Sequence, residues 1–165
     1  MDYLNLIDQQ TLVVFIQLII ATFLGMMLGV ERTVANKTAG MRTYALISMG
    51  SALFVIISKM ASVLLINFPS VNPLYIPAQI VVGIGFIGAG LIFVHGNTVN
   101  GLTTAAGLWV AAGIGMAVGF EFYSIAIFVT ILTLFIFLVL FQVEDKIKHI
   151  AGVGNNENYP ESVGK

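Results

Sequence analysis

Three charged residues stand where the first long apolar run of this sequence ends, and they are the first candidates for chemistry. Glu31 and Arg32 close the run, and Arg42 precedes the next one. Ionisable groups inside a membrane are costly and tend to be functional, whereas at its boundary they also anchor helix ends. These three residues therefore have two interpretations. They either anchor the helix ends at the membrane boundary, or they form a functional charge cluster. In such a cluster Glu31 balances Arg32 or Arg42, and the three side chains contact a cation, a phosphate or a partner protein.

A second set of polar side chains interrupts the most apolar part of the chain. Its members are Gln79, Asn97, Asn100, Thr103 and Thr104. Asn100 or Thr103 can cap a helix that begins here, and a helix N-terminus also binds anions. Gln79 either forms a hydrogen bond between helices or lines a polar path. Hard cations bind oxygen ligands, which these side chains could supply, and no cofactor beyond such a cation is expected.

The stretch Gly83-Ile-Gly85-Phe-Ile-Gly88 matches the GxGxxG pattern of dinucleotide-binding loops. That loop requires a preceding strand and an acidic residue about 20 residues later. Here the glycines lie inside a run without Asp, Glu, Lys or Arg, and the next acidic residue is Glu121. The pattern therefore indicates helix packing, because small residues let membrane helices approach closely.

Small residues recur at helical spacing in the first, third and fourth apolar runs. The predicted packing positions are Gly25, Gly29, Gly83, Gly85, Gly88, Gly90 and Trp109, the last as a core side chain among alanines and glycines. Arg32 follows Gly25 by seven residues and so falls on the same helix face. These three runs are predicted to pack tightly, and the bulky fifth run is predicted to face lipid. The abundance of glycine faces also makes a homodimer a candidate assembly.

The elements that must position these residues follow from the composition, which excludes a water-soluble domain. The 165 residues are 58% hydrophobic and 9% charged, whereas soluble domains carry about 25% charged residues. A helix needs roughly 20 apolar residues to cross a bilayer. Helix breakers divide the chain into runs at residues 9–30, 43–66, 78–94, 103–119 and 122–143. We expect an all-α, polytopic membrane helix bundle of about five transmembrane helices.

The basic residues predict the orientation of this bundle. All except Lys59 lie in the first loop or in the C-terminal tail, so the positive-inside rule places the N-terminus outside and the C-terminus inside. Lys59 then either snorkels to the outer headgroups or pairs with Glu121. The net charge of −1 gives no basis for binding nucleic acid. The sequence also lacks the HExxH, GxSxG and phosphate-loop motifs of enzymes.

Four ordered motifs resemble the MgtC/SapB family of bacterial membrane proteins. They read Gly25-x-x-x-Gly29-Val-Glu31-Arg32, Lys37-Thr-Ala39-Gly40-Met-Arg42-Thr43, Gln79-x-x-x-Gly83-Ile-Gly85-Phe-Ile-Gly88-Ala-Gly90 and Gly101-Leu-Thr-Thr-Ala-Ala-Gly-Leu-Trp109. The match runs over about residues 12–121. The resemblance implies a multi-pass protein of the bacterial inner membrane that acts in magnesium homeostasis, in growth at low magnesium and, in several relatives, in virulence.

The resemblance also implies a non-enzymatic regulator that contacts another membrane protein, such as the ATP synthase or a transporter. The alternative is a transporter or channel subunit for Mg²⁺ or another cation. Residues 1–145 are predicted to form the transmembrane domain, and residues 146–165 a short polar cytoplasmic tail. Many relatives continue into a C-terminal ACT-type domain, for which this tail is too short. Many also carry a D-P-x-R pattern before the third span, where this chain has Asn72 and Tyr75.

Overall fold

The computed structural model describes residues 8–64, 72–96 and 98–150, most of them helical. The elements in chain order are α1 (Gln9–Val34), α2 (Met41–Leu64), α3 (Tyr75–Ala89), β1 (Phe93–His95), β2 (Thr98–Asn100), α4 (Leu102–Gly119), α5 (Tyr123–Phe135), a π-helical turn (Ile136–Leu140) and α6 (Phe141–Ile150). The predicted site residue Asn97 and most of the predicted tail lie outside the described residues.

Four helical segments of the described chain are long and apolar enough to cross a membrane. They are α1, α2, α4 and the continuous segment Tyr123–Leu140. The prediction of an all-α membrane helix bundle is therefore confirmed. Helix α3 is apolar but has only 15 residues, a length of about 22 Å against a hydrocarbon core of about 30 Å. The third predicted span, residues 78–94, thus ends early as a helix, and its last residues form β1.

A short hairpin of β1 and β2 precedes α4. The strands pair antiparallel, with Val94 opposite Val99. Gly101 then begins α4 with a φ of 89°, and a Cβ at this position would collide with the carbonyl of Leu91. Only glycine fits both constraints. The expectation that Asn100 or Thr103 caps α4 is wrong, because Gly101 occupies the cap position without a side-chain hydrogen bond.

Helices α1, α2 and α4 form the centre of the bundle and pack most extensively against one another. The glycines of α1 admit the backbone of α2. A Cβ on Gly25 would lie 2.6 Å from the carbonyl oxygen of Tyr44, and one on Gly29 would collide with the backbone of Met41. The expectation of close packing holds for α1 and α4, whereas α2 takes the central place that was predicted for the third run.

The packing predicted for the glycines of α3 is met within the single chain by Gly88, but not by Gly83, Gly85 or Gly90. Gly88 approaches Ala105 of α4, since a Cβ there would lie 3.5 Å from that side chain. Gly83 and Gly85 have no neighbouring atom within 4 Å of such a Cβ, and Gly90 meets only carbonyls of its own helix. The reason is that α3 lies at the edge of the bundle and buries one narrow face against α4 and α2.

The core position predicted for Trp109 is wrong, because its side chain is 54% exposed. Helix α4 turns its opposite face, which includes Gly107, Ala111 and Gly115, into the bundle. Trp109 therefore lies outside the core, in a groove between α4 and α5 that Gly113 also lines. The fifth run, predicted to face lipid, does expose Phe and Ile side chains along α5.

An ion pair joins α2 to the turn between α4 and α5. The Nζ atom of Lys59 donates a hydrogen bond of 2.6 Å to Oε1 of Glu121 and lies 3.5 Å from the carbonyl oxygen of Gly119. Of the two alternatives for Lys59, the pairing with Glu121 is confirmed.

We expect replacement of Lys59 by Met to lower the free energy of unfolding by no more than about 1 kcal/mol, because partly exposed ion pairs contribute little. The two side chains are 39% and 54% exposed. Unfolding of the purified protein in detergent should give the same small loss for Glu121→Gln and no added loss for the double variant. A loss of several kcal/mol in either single variant would contradict this assessment.

Candidate functional site

The centre of the candidate site is Arg32, which is 3% exposed in the last turn of α1. Its Nε donates a hydrogen bond to Oε2 of Glu31, whose side chain is 14% exposed. Its guanidinium carbon lies 3.7 Å from the centroid of the Phe137 ring. The buried charge is therefore balanced by a carboxylate on one side and by the negative face of an aromatic ring on the other.

The spacing of α1 explains why a charged residue enters the core. Ala21, Gly25, Leu28 and Arg32 follow one another at intervals of four and three residues, and all are buried. They therefore form one continuous stripe along the helix. The expectation that Arg32 lies on the same face as Gly25 agrees with this arrangement.

A π-helical turn brings Phe137 to the guanidinium. The turn, Ile136–Leu140, interrupts the long helix between α5 and α6. Phe137 is 6% exposed, whereas its neighbours Ile136 and Leu138 are about half exposed. Such turns are rare and are frequent at functional sites. The sequence analysis did not predict a role for Phe137. This residue stands in an unbroken apolar run that was predicted to face lipid, and no motif distinguishes it from its neighbours.

Tyr44 connects the site to the start of α4. Its side chain is fully buried, and its hydroxyl donates a 3.3 Å hydrogen bond to the carbonyl oxygen of Thr104. Both Tyr44 and Phe137 press on Gly107, where a Cβ would lie 2.8 Å from Cζ of Phe137 and would collide with the tyrosine hydroxyl. Helices α2 and α4 and the π-helical turn therefore meet around Gly107. Tyr44 was also missed, although it follows the recognised loop motif directly.

The loop between α1 and α2 is fixed by Thr33. Its hydroxyl accepts a 3.0 Å hydrogen bond from the backbone N–H of Met41 and donates one of 2.9 Å to the carbonyl of Gly29. This arrangement satisfies an N–H group at the start of α2. Arg42 follows directly and is exposed, and in the described part of the chain it forms no ion pair. Of the two partners considered for Glu31, the structure selects Arg32.

The remaining predicted site residues do not lie together in one site. Thr104 is buried and joins the site through its backbone carbonyl, whereas Asn100 and Thr103 are exposed. Gln79 is exposed near the start of α3, and Asn100 lies beyond the end of that helix. These two amides are thus separated along the axis by the last ten residues of α3, or about 15 Å. Among the described residues, no three His, Cys, Asp or Glu side chains form a group that could hold a metal ion.

The arrangement favours a rigid, charge-neutral anchor with basic residues displayed beside it. Glu31 and Arg32 neutralise each other. Phe137 packs against the guanidinium, and the hydrogen bond of Tyr44 to Thr104 joins α2 to α4 in the adjacent core. Lys37 and Arg42 are exposed in and after the same loop. We call this end of the molecule, defined by Arg32, Lys37 and Arg42, the basic end.

Comparison with known proteins identifies relatives over most of the chain. A family model described as MgtC family matches residues 18–146. The chain is 42% identical over 129 residues to the Escherichia coli K12 protein named "Putative magnesium transporter YhiD", which covers 77% of this chain and 60% of that protein. No solved structure was found to match.

Two further relatives carry the names of the family. Protein SapB of Bacillus subtilis strain 168 is 42% identical over 117 residues, which are 67% of this chain and 49% of SapB. Protein MgtC of Brucella abortus strain 2308 is 44% identical over 88 residues, which are 53% of this chain and 34% of MgtC. The chain therefore spans between about a third and three fifths of the length of these relatives.

Proposed function

The chain belongs to the MgtC family, and on that premise we propose that it is a non-enzymatic regulator of magnesium homeostasis in the bacterial inner membrane. It acts by contacting another membrane protein, for which the ATP synthase or a transporter is the candidate. In this proposal the N-terminus is outside, so that the basic end faces the cytoplasm. That placement follows from the excess of Lys and Arg at this end.

The observation that carries the proposal is the pairing of Glu31 with the buried Arg32. A magnesium path needs oxygen ligands that are free to replace water around the ion. Glu31 is the acidic residue of the recognised motifs, and its carboxylate is already bound to a guanidinium. The pair therefore supports a structural anchor more than an ion ligand, and the neighbouring exposed residues become the contact surface.

The chemistry of that surface indicates the kind of partner. Arg42 and Lys37 are exposed next to a loop that Thr33 and the buried Ala39 hold in place. Basic side chains exposed beside such a loop complement carboxylates on the cytoplasmic surface of a partner. Arginine in particular binds a carboxylate through two parallel hydrogen bonds.

Arg42→Ala is expected to abolish the growth advantage that the protein gives at low magnesium, with an unchanged amount of protein in the membrane. The fold should persist because Arg42 is exposed. Growth of a deletion strain complemented with each variant measures this, and Arg42→Lys is the control that keeps the charge. Full growth of Arg42→Ala would contradict the proposal, and its loss from the membrane would instead assign Arg42 to anchoring.

A second candidate function is the transport of Mg²⁺ or another cation by the chain itself. The name of the Escherichia coli relative, at 42% identity, favours it. In this alternative the side-chain oxygen atoms of Glu31, Gln79 and Asn100 would have to bind the cation along one path. Uptake of magnesium by liposomes that contain only this protein separates the two functions.

A further inference from the structure

Helix α3 lies at the edge of the bundle, and the single chain leaves much of its surface uncovered. Its buried residues are Pro77, Ile84 and Gly88, which leave most of the circumference uncovered. Two of its glycines, Gly83 and Gly85, have open space where a Cβ would point. They lie about 200° apart around the helix axis, and of the two Gly83 lines a groove shared with α2. Within a helix each glycine costs about 1 kcal/mol relative to alanine. The single chain offers no contact that would offset this cost.

Helix α5 shows what a lipid-facing surface of this same protein looks like. Its most exposed side chains are large and apolar, and they include Ile125, Phe128 and Ile131 at 56%, 64% and 61% exposure. No glycine occurs between Tyr123 and Phe135. The uncovered surface of α3 also exposes apolar side chains such as Phe86, but it differs from that of α5 in carrying Gly83 and the polar Gln79, which are typical of helix–helix interfaces.

A groove lies between α3 and α2 on this side, with a volume of about 540 Å³. We define the α3 face by the residues of this groove that carry the argument, which are Gln79, Gly83, Phe86 and Ile87 of α3 together with Leu46, Gly50 and Phe54 of α2. Gly50 and Gly83 line the groove from opposite helices, and a Cβ on either of them would have no atom within 4 Å. The groove is thus open to a protruding side chain or helix.

We propose that the α3 face is the interface between two copies of this chain. A two-fold interface joins one patch to itself and therefore requires a self-complementary patch. The α3 face carries a groove and, at its edge, a protruding ring, since Phe86 is 85% exposed. It also carries both hydrogen-bond donors and an acceptor in one side chain, because Gln79 is an amide.

The exposed amide makes this pairing specific. Gln79 lies four residues after the start of α3 and has no hydrogen-bond partner in the described ranges. An amide without a partner is costly in an apolar environment. Across a two-fold axis, each Gln79 can donate to and accept from its counterpart in the second copy. A second copy thus supplies both the missing hydrogen bonds and the close contact that the glycines permit.

The exposed area is close to that of a small specific interface. Phe86, Leu46, Phe54 and Ile87 are 85%, 62%, 52% and 46% exposed. A buried aromatic side chain alone removes about 150–250 Å² from solvent, so this face offers on the order of 500 Å² per copy. Two copies together approach the roughly 1,000 Å² that a specific interface requires.

Disulfide cross-linking tests this proposal directly, because the chain contains no cysteine. Gly83→Cys should form a covalent dimer upon oxidation in membranes that hold the full chain at low density. Ile131→Cys, on the lipid face of α5, is the matched control and should remain monomeric. Equal cross-linking of both variants, or of Gly83→Cys only to a product whose mass is not twice that of the chain, would overturn the proposal.

A second variant guards against a folding artefact. Gly83→Leu adds a side chain into open space, so it should leave the single chain folded. It should weaken self-association at least tenfold, measured by energy transfer between donor-labelled and acceptor-labelled chains in liposomes. Energy transfer that is absent in the wild type, or unchanged in folded Gly83→Leu, would also overturn the proposal. Arg42→Ala lies outside the α3 face and should self-associate like the wild type, so this test is independent of the proposed function.

Discussion

Replacement of Arg32 by Met should lower the free energy of unfolding by about 3–5 kcal/mol, the usual cost of removing one partner of a buried ion pair. Methionine keeps the aliphatic part of the side chain but leaves the carboxylate of Glu31, which is 14% exposed, without its counter-charge. The ring of Phe137 also loses the cation that lies 3.7 Å from its centroid. Unfolding of the purified protein in detergent by heat or by a denaturing detergent measures the loss.

Two controls separate this effect from a general loss of positive charge. Arg42→Met removes a cation from an exposed position ten residues away and should change the free energy of unfolding by less than about 0.5 kcal/mol. The double variant Glu31→Gln/Arg32→Met should recover much of the loss, because no unpaired charge remains. If Arg32→Met were as stable as Arg42→Met, the ion pair would not be the anchor of this end.

Gly115→Ala should separate α4 from α2 and lower the free energy of unfolding by about 3 kcal/mol, at the upper end of the range for overpacking. A Cβ at this position would overlap the carbonyl of Ser48, and a backbone group cannot move aside as a flexible side chain can. The loss should appear as a lower unfolding temperature in detergent and as a smaller folded fraction in membranes.

Gly113→Ala is the matched control for this prediction. It makes the same chemical change on the same helix, but no atom lies within 4 Å of the added carbon. Alanine favours a helix over glycine by about 1 kcal/mol, so this variant should be as stable as the wild type or more stable. Equal losses in the two variants would contradict the prediction, because a loss at Gly113 cannot arise from a contact like the one with Ser48.

The sequence predicted the features that depend on local periodicity and on recognisable motifs. The apolar runs anticipated the spanning helices, because the bilayer sets a length that any spanning helix must reach. The seven-residue interval between Gly25 and Arg32 placed the arginine on the buried face of α1. The ion pair of Lys59 with Glu121 was among the alternatives, since the predicted topology places both residues towards the same side of the membrane.

Features that depend on tertiary geometry were not predictable in this way. Phe137 reaches Arg32 only because a π-helical turn changes the helical register, and nothing in an apolar run marks such a turn. Trp109 was assigned to the core from its small neighbours, but those neighbours define the buried face on the other side of α4. A glycine pattern indicates close packing without naming the partner, and Gly83 illustrates this limit.

The buried pair and the open α3 face suit a protein that works through contacts. Glu31 and Arg32 stabilise the basic end, and Arg42 is presented beside them. The α3 face would join two copies through a different side of the bundle. Each surface can be altered separately, Arg42 for the proposed contact with a partner protein and Gly83 for the proposed self-association. The two variants should therefore show different defects.

The most direct test of the proposed regulatory role is the uptake of magnesium by sealed liposomes that contain the purified, folded protein and a magnesium indicator. Our account predicts uptake equal to that of protein-free liposomes, with an added ionophore as the positive control. Saturable uptake above the protein-free level would contradict it and would identify the chain as a transporter in its own right.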